Sequence, residues 1–153
     1  MTDDKEPPEH KFGRVGLCAG AFDLLHPGHL DHLRQAKGRC DFLVVGLHTD
    51  PMIDRPFKNK PIQTTHERYL QLIACKFIDG IVPYDTEHDL KNIMLVHDID
   101  IRFVGADHAV DDLHFEFCDL HNITTVYLER LHDWSTSELR ERIIWAEHNR
   151  EKA

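Results

Sequence analysis

A doubly wound α/β domain, with helices on both faces of a parallel sheet of about five strands, is the fold that this sequence predicts. Two observations point to it. Short apolar runs rich in β-branched residues alternate with segments of helical periodicity along most of the chain, and strands covered on both faces read as nearly continuous apolar runs. Strict alternation of strand and helix then requires right-handed crossovers, which distribute the helices over both sides of one sheet. Strands are expected at 14–19, 42–48, 80–83, 101–104 and 123–128, and helices at 27–38, 65–77, 87–97, 111–121 and 135–148.

Each element has a local reason. Val15-Gly16-Leu17-Cys18-Ala19 is a short apolar strand that runs into the small-residue turn Gly20-Ala21. Pro27 suits the first position of a helix, where its fixed φ and missing N–H cost nothing, and Leu30, Leu33 and Ala36 continue at helical spacing. In the second helix Tyr69, Leu72, Ile73 and Phe77 form the expected core-facing stripe. The last helix carries Leu139, Ile143 and Ala146 on one face and opens on Ser135-Thr136-Ser137, with Glu138 three residues after Ser135. That spacing reads as a capping box.

Composition narrows the function. The 153 residues allow one domain with a proper core: residues 12–153 are expected to form it, behind a polar, proline-containing tail at 1–11. Eighteen basic against 27 acidic residues give a net charge of -9, the wrong sign for a nucleic-acid binder. No apolar stretch reaches the length of a membrane span. Cys18, Cys40, Cys75 and Cys118 are widely spaced, without a CxxC pair or a signal peptide, which points to a reducing, cytoplasmic setting.

The densest chemical signal is CAGAFDLLHPGH at 18–29. His26 and His29 flank the start of a helix, where unpaired backbone N–H groups and the helix dipole already attract anions. Two imidazoles three residues apart can grip an oxyanion from one side. A pair of surface histidines, or a metal site formed with His32, would use the same residues. The strand, turn and Pro-initiated helix around them favour phosphate chemistry, and no acidic or cysteine ligand at zinc spacing accompanies them. At the other end of the sequence, the three hydroxyls of Ser135, Thr136 and Ser137 exceed what a cap needs and open a second anion-binding helix terminus.

GAFDLLHPGHLDHLRQAK resembles the opening of the HxGH nucleotidyltransferases, in particular their cytidylyltransferase branch. CDFLVVGLHTD at 40–50 is similar to that branch's second strand, and 58–79, through HERYLQLIACKFID, to its lysine loop and following helix. RLHDWSTS at 130–137 occupies the place of its R-T-x-G-[IV]-S-T-[TS] signature. The likeness covers about residues 13–144 and is strongest to the small stand-alone glycerol-3-phosphate cytidylyltransferases. Two departures stand out: Ala21 sits where Thr is common, and Leu131-His132-Asp133-Trp134 lacks the signature's glycine.

The resemblance implies a Rossmann-like fold and a Mg²⁺-dependent transfer of a cytidylyl group from CTP to a small phosphorylated alcohol, glycerol 3-phosphate, giving CDP-glycerol and pyrophosphate. An adenylyltransferase using ATP, or a nucleotide-binding regulatory protein without turnover, are the alternatives. His26, His29 and Lys60 are the implied catalytic residues. Gly20, Ala21, Phe22, Asp23, Lys58, Asp107, Arg130, Ser135, Thr136 and Ser137 are implied to bind nucleotide, and Lys76 to meet the acceptor phosphate. Asp23 is expected mainly to orient its loop, and no protein ligand for the metal is singled out. A homodimer is expected by the same analogy. His108, His114 and His121, with Asp111 and Asp112, match no familiar metal spacing and are expected on a solvated helix face.

Overall fold

A computed structural model describes residues 13–150; the expected tail at 1–11 lies outside them. Five strands, β1 (Val15–Gly20), β2 (Phe42–His48), β3 (Gly80–Tyr84), β4 (Ile101–Gly105) and β5 (Thr124–Leu128), form one sheet in the order β3-β2-β1-β4-β5. Every neighbouring pair is parallel, as the alternating pattern requires. Five α-helices follow the strands in turn: α1 (Pro27–Lys37), α2 (Thr65–Ile73), α3 (Glu87–Val96), α4 (Phe115–Leu120) and α5 (Thr136–Arg150).

The period-2 alternation of the strands divides the core into two layers. On one face Cys18, Leu43, Val45, Leu47 and Phe103 pack against Leu33 and Ala36 of α1 and Leu72 of α2. On the other, Leu17, Val44 and Tyr84 pack against Leu90, Ile93 and Met94 of α3 and Cys118 of α4. The order places β1 at the centre, with the chain reversing direction across the sheet on either side of it. Its carboxyl end is the switch point at which ligands of such folds collect.

Three elements depart from expectation. Helix α2 stops at Ile73 instead of 77. Beyond it the Asp79 carboxylate accepts from the Leu43 amide at 2.7 Å and from Lys37 Nζ at 2.6 Å, which pulls the chain into β3. The register of α2 turns Arg68 and Leu72 inward and leaves Tyr69 and Ile73 37% and 54% exposed, so these two do not belong to the core stripe. Helix α5 buries none of its residues, Ile143 included.

The third departure has an electrostatic cause. Helix α4 begins at Phe115 and not at 111, because the preceding loop serves Arg102. Arg102 stands within β4, 8% exposed, and a guanidinium there requires a partner. Asp112 supplies it through a two-point ion pair, with Arg102 Nη1 donating to Asp112 Oδ2 at 2.8 Å. The Tyr127 hydroxyl donates to the same oxygen at 2.9 Å. Although burial opposes it, the Arg102 partnership holds the Asp112 carboxyl down to about 2. Asp112→Asn leaves Arg102 uncompensated and should destabilise the fold by about 3 kcal/mol, measured as a lowered urea midpoint with an unchanged m-value.

Candidate active site

The turn that closes β1 holds two residues in left-handed backbone geometry, Phe22 and Leu24, each with φ 50°. Non-glycine residues adopt this conformation only when their surroundings enforce it. Here Phe22 is buried against the His29 ring, 5.4 Å between centroids, and the Leu24 amide donates to Gln63 Oε1 at 2.8 Å. Between them the Asp23 carboxylate accepts from the amides of Ile62 at 2.8 Å and Gln63 at 2.9 Å, and from Arg140 Nη2 at 3.2 Å. Burial pushes its carboxyl up, but these donors outweigh it and hold Asp23 below the usual carboxylate range. Asp23 thus ties three segments together.

Helix α1 opens with the two motif histidines capping each other's backbone. The Gly28 amide donates to His26 Nδ1 at 3.0 Å, and the His26 amide donates to His29 Nδ1 at 3.3 Å. An Nδ1 that accepts from an amide carries no proton, so both rings are placed in the Nε2–H form. The rings stack with centroids 3.8 Å apart. Gly28 permits this: a Cβ there would lie 2.8 Å from His26 Cε1 and 3.0 Å from His132 Cε1. Desolvation lowers the pKa of both imidazoles, with His29 carried to about 3 by burial and then by its neighbours His26 and His32. The pair is therefore neutral and offers two Nε2–H donors.

The second signature meets the first directly. Thr136, the first residue of α5, places Oγ1 3.2 Å from His26 Nε2. Ser135 caps the helix by accepting from the Glu138 amide at 3.0 Å, while Glu138 itself lies 3.7 Å from Arg142. Arg130 donates to the Trp134 carbonyl and stands 3.9 Å from Asp107, so one guanidinium braces the glycine-free turn and reaches the loop after β4. Trp134 stacks on His132 at 4.8 Å.

One cavity of about 640 Å³ runs over the carboxyl edge of the sheet and is lined by the implied residues Gly20, Ala21, Phe22, Asp23, His26 and His29. Lys58, Asp107, Arg130, Ser135, Thr136 and Ser137 line it as well. The lysine loop contributes Arg55 and Lys58, whereas Lys60 is not part of the lining and presents its backbone carbonyl to Arg140 Nη2 at 3.0 Å. Of the two loop lysines, Lys58 is the one that lines the cavity. Lys76 does not reach the cavity. It precedes β3, at the amino-terminal rim of the sheet, with Nζ 5.4 Å from the Phe77 ring.

Two further groups escape the reading of the sequence. Arg68 is 1% exposed and donates to the carbonyls of Ala21 at 2.8 Å, His48 at 2.6 Å and Thr49 at 2.7 Å. At the far end of the cavity, on the α3 side of the sheet, Glu87 collects Arg55 and His114. His114 is 3% exposed, contrary to the solvated face expected for it. Among the described residues no group of three His, Cys, Asp or Glu side chains is placed to hold a metal, and no helix is long and apolar enough to cross a membrane.

Keeping His29 neutral has a measurable consequence. Its folded pKa lies below the unfolded value of about 6.5. The associated stability is complete above pH 6.5 and is lost as pH falls from there toward 3. Over that window His29→Asn should flatten the fall of unfolding free energy by up to about 1.4 kcal/mol per pH unit relative to the parent chain, read from urea unfolding at a series of pH values.

Residues 17–142 match the family model described as cytidylyltransferase-like. The probable ethanolamine-phosphate cytidylyltransferase of Encephalitozoon cuniculi is 43% identical over 76 residues, 48% of this chain and 24% of the relative. The bifunctional protein HldE of Caulobacter sp. (strain K31) is 38% identical over 99 residues, 64% of this chain and 20% of the relative. The chain thus matches only about a fifth to a quarter of the length of these curated relatives. Among solved structures, the lipopolysaccharide core biosynthesis protein from Thermoplasma volcanium GSS1 superimposes with a TM-score of 0.63 at 24% identity, covering 80% of this chain and 98% of that one. With the family model spanning most of the sequence and both of its signatures lining one cavity, this chain belongs to the cytidylyltransferase-like family.

Proposed function

We propose that the chain transfers the cytidylyl group of CTP to a small phosphorylated alcohol, glycerol 3-phosphate, giving CDP-glycerol and pyrophosphate. The observation that carries this reading is the 3.2 Å contact between His26 Nε2 and Thr136 Oγ1. It joins two signatures 110 residues apart into one anion-binding corner.

In the transfer, an oxygen of the acceptor phosphate forms a bond to the α-phosphorus, and the bond from that phosphorus to the bridging oxygen breaks to release pyrophosphate. The acceptor is already an anion at neutral pH, so no general base is needed, and the barrier is largely one of positioning and charge. The Nε2–H groups of His26 and His29 donate to the α-phosphate and the bridging oxygen. Because both rings are neutral, they donate without first having to lose or gain a proton. The free amides at the start of α5, with the hydroxyls of Thr136 and Ser137, receive the outer phosphates. Lys58 and Arg130 supply positive charge from opposite sides.

Mg²⁺ is part of the proposal. It takes phosphate oxygens and water in preference to a protein cage, and Asp23, Glu87 and Asp112 of the cavity are already engaged by Arg140, Arg55 and Arg102. When bound, it neutralises charge on the departing pyrophosphate. The proposal also retains a cytoplasmic homodimer.

Pyrophosphate release is the direct test. With Mg²⁺, CTP and glycerol 3-phosphate together should release pyrophosphate, and neither alone should. His26→Ala and His29→Ala should each reduce kcat by about 100- to 1000-fold, and Lys58→Ala should cost more than Lys60→Ala. A preference for ATP would move the reading to an adenylyltransferase. Nucleotide binding without release under any pairing would make the chain a nucleotide-binding regulatory protein.

A further inference from the structure

Between β2 and α2 the chain runs along the cavity as a basic loop, lending Arg55, Lys58 and Asn59 to the lining. Both ends of this loop are fastened. At its root the Thr49 amide donates to the Tyr84 carbonyl at 2.9 Å, and His48 Nε2 lies 3.1 Å from the Asp85 carbonyl. At its far end the amides of Ile62 and Gln63 donate to Asp23. Lys58 lies between these moorings.

Midway, the loop meets the first residue of α3 twice and with opposite polarity. The Asp54 carboxylate accepts from the Glu87 amide at 2.6 Å, and the Glu87 carboxylate pairs with Arg55, Oε1 to Nη2 at 2.8 Å. The amide is one of the donors that a helix leaves unpaired at its start, where the dipole also favours a carboxylate. Glu87 is itself held at its other oxygen, which lies 2.6 Å from His114 Nε2. Its side chain is 14% exposed, so the pair with Arg55 is screened less than one in open water. Arg55 then passes its placement on. The Lys58 amide donates to the Arg55 carbonyl at 2.9 Å, closing a four-residue turn with Pro56 at its second position, where a fixed φ is suited. Wherever Arg55 is held, the turn carries Lys58 with it.

Resting on the proposed nucleotidyl transfer, we infer that Asp54 and Glu87 are positioning residues, which latch the basic loop to the start of α3 and so hold Lys58 at the cavity for a nucleotide phosphate. Two carboxylates cannot attract that phosphate themselves; they act through the loop. This gives their removal a sign opposite to that of simple charge. Deleting a negative charge beside an anion site, or freeing Arg55 from its partner, would by charge alone tighten CTP binding. Losing the latch weakens it, because the loop must then be ordered at the moment of binding.

Native-state trypsin cleavage of the full chain reads the latch directly. Arg55 and Lys60 are each followed by proline, which blocks trypsin, so the Lys58–Asn59 bond is the cleavable one in this part of the loop. Asp54→Ala and Glu87→Gln should each speed its cleavage by about tenfold, the effect of one lost charge-assisted contact on the population of the open loop. Cleavage after Arg102, inside β4, reports global unfolding and should not change. Should Glu87→Gln unfold the chain, Asp54→Ala on the exposed side of the loop carries the test. Calorimetry with Mg²⁺ and CTP should show binding weakened by about tenfold in each variant. On a Lys58→Ala background Asp54→Ala should have little further effect, as expected of a residue that acts through Lys58. Unchanged cleavage at Lys58, unchanged or tighter CTP binding in the variants, or an undiminished effect without Lys58 overturns the inference. A parent chain that binds no CTP, with loop cleavage still accelerated in the variants, would instead defeat the transferase reading and leave the latch standing.

Discussion

The buried guanidinium of Arg68 is the contact on which the site depends. Parallel strands stop pairing where they diverge into loops, and the carbonyls there need donors from elsewhere. Arg68 reaches from α2 and serves the turn after β1 through Ala21 and the end of β2 through His48 and Thr49. Its Nε also donates to the Gln63 carbonyl, 3.2 Å away, just before its own helix. One planar fork therefore fixes the distance between the histidine turn and the root of the basic loop. A lysine, with a single point of attachment, cannot span them.

The strained turn is held from outside by the same economy. Phe22 and Leu24 sit in left-handed geometry on either side of Asp23, and the Asp23 carboxylate is bound by the loop that leads into α2 and by Arg140 from α5. Segments far apart in sequence thus share two ionic anchors, Asp23 and Arg68, beneath the cavity. This explains why the stacked imidazoles can be neutral and still precisely oriented: each is fixed through Nδ1 by a backbone amide, and the backbone is fixed by buried ionic groups. Were both rings charged, their 3.8 Å separation would be repulsive.

Sheet, helix order and the histidine–hydroxyl corner were legible in the sequence because they rest on local signals. Apolar period, a proline at the first turn of α1 and a hydroxyl run before α5 each act over a few residues. What escaped depends on long-range pairing. The inward register of Arg68 looks like a break in an apolar stripe until the carbonyls it serves are known. The truncated start of α4 follows from an arginine in a strand ten residues earlier. His114 resembles a surface histidine until α3 delivers Glu87 to it. For the lysine loop, two cations two residues apart are equivalent in sequence, and only the loop's path turns Lys58 toward the cavity while Lys60 offers its carbonyl to Arg140.

The proposed transfer would require an acidic protein to admit a triphosphate and a second phosphate to one cavity. With a net charge of -9, the global field opposes both. Four of the carboxylates that line the cavity have cationic or amide partners in place, however. Asp112 is held by Arg102, Glu87 by Arg55, Asp23 by two amides and Arg140, and Asp107 faces Arg130. Interactions at these short range outweigh those of distant surface carboxylates, which are screened over about 8 Å at physiological ionic strength. What an incoming anion meets locally is a set of neutral imidazole N–H groups, a helix terminus and the Lys58 ammonium. Such a site discriminates by donor geometry more than by net charge, and that is the property needed to bring two anions together without trapping either.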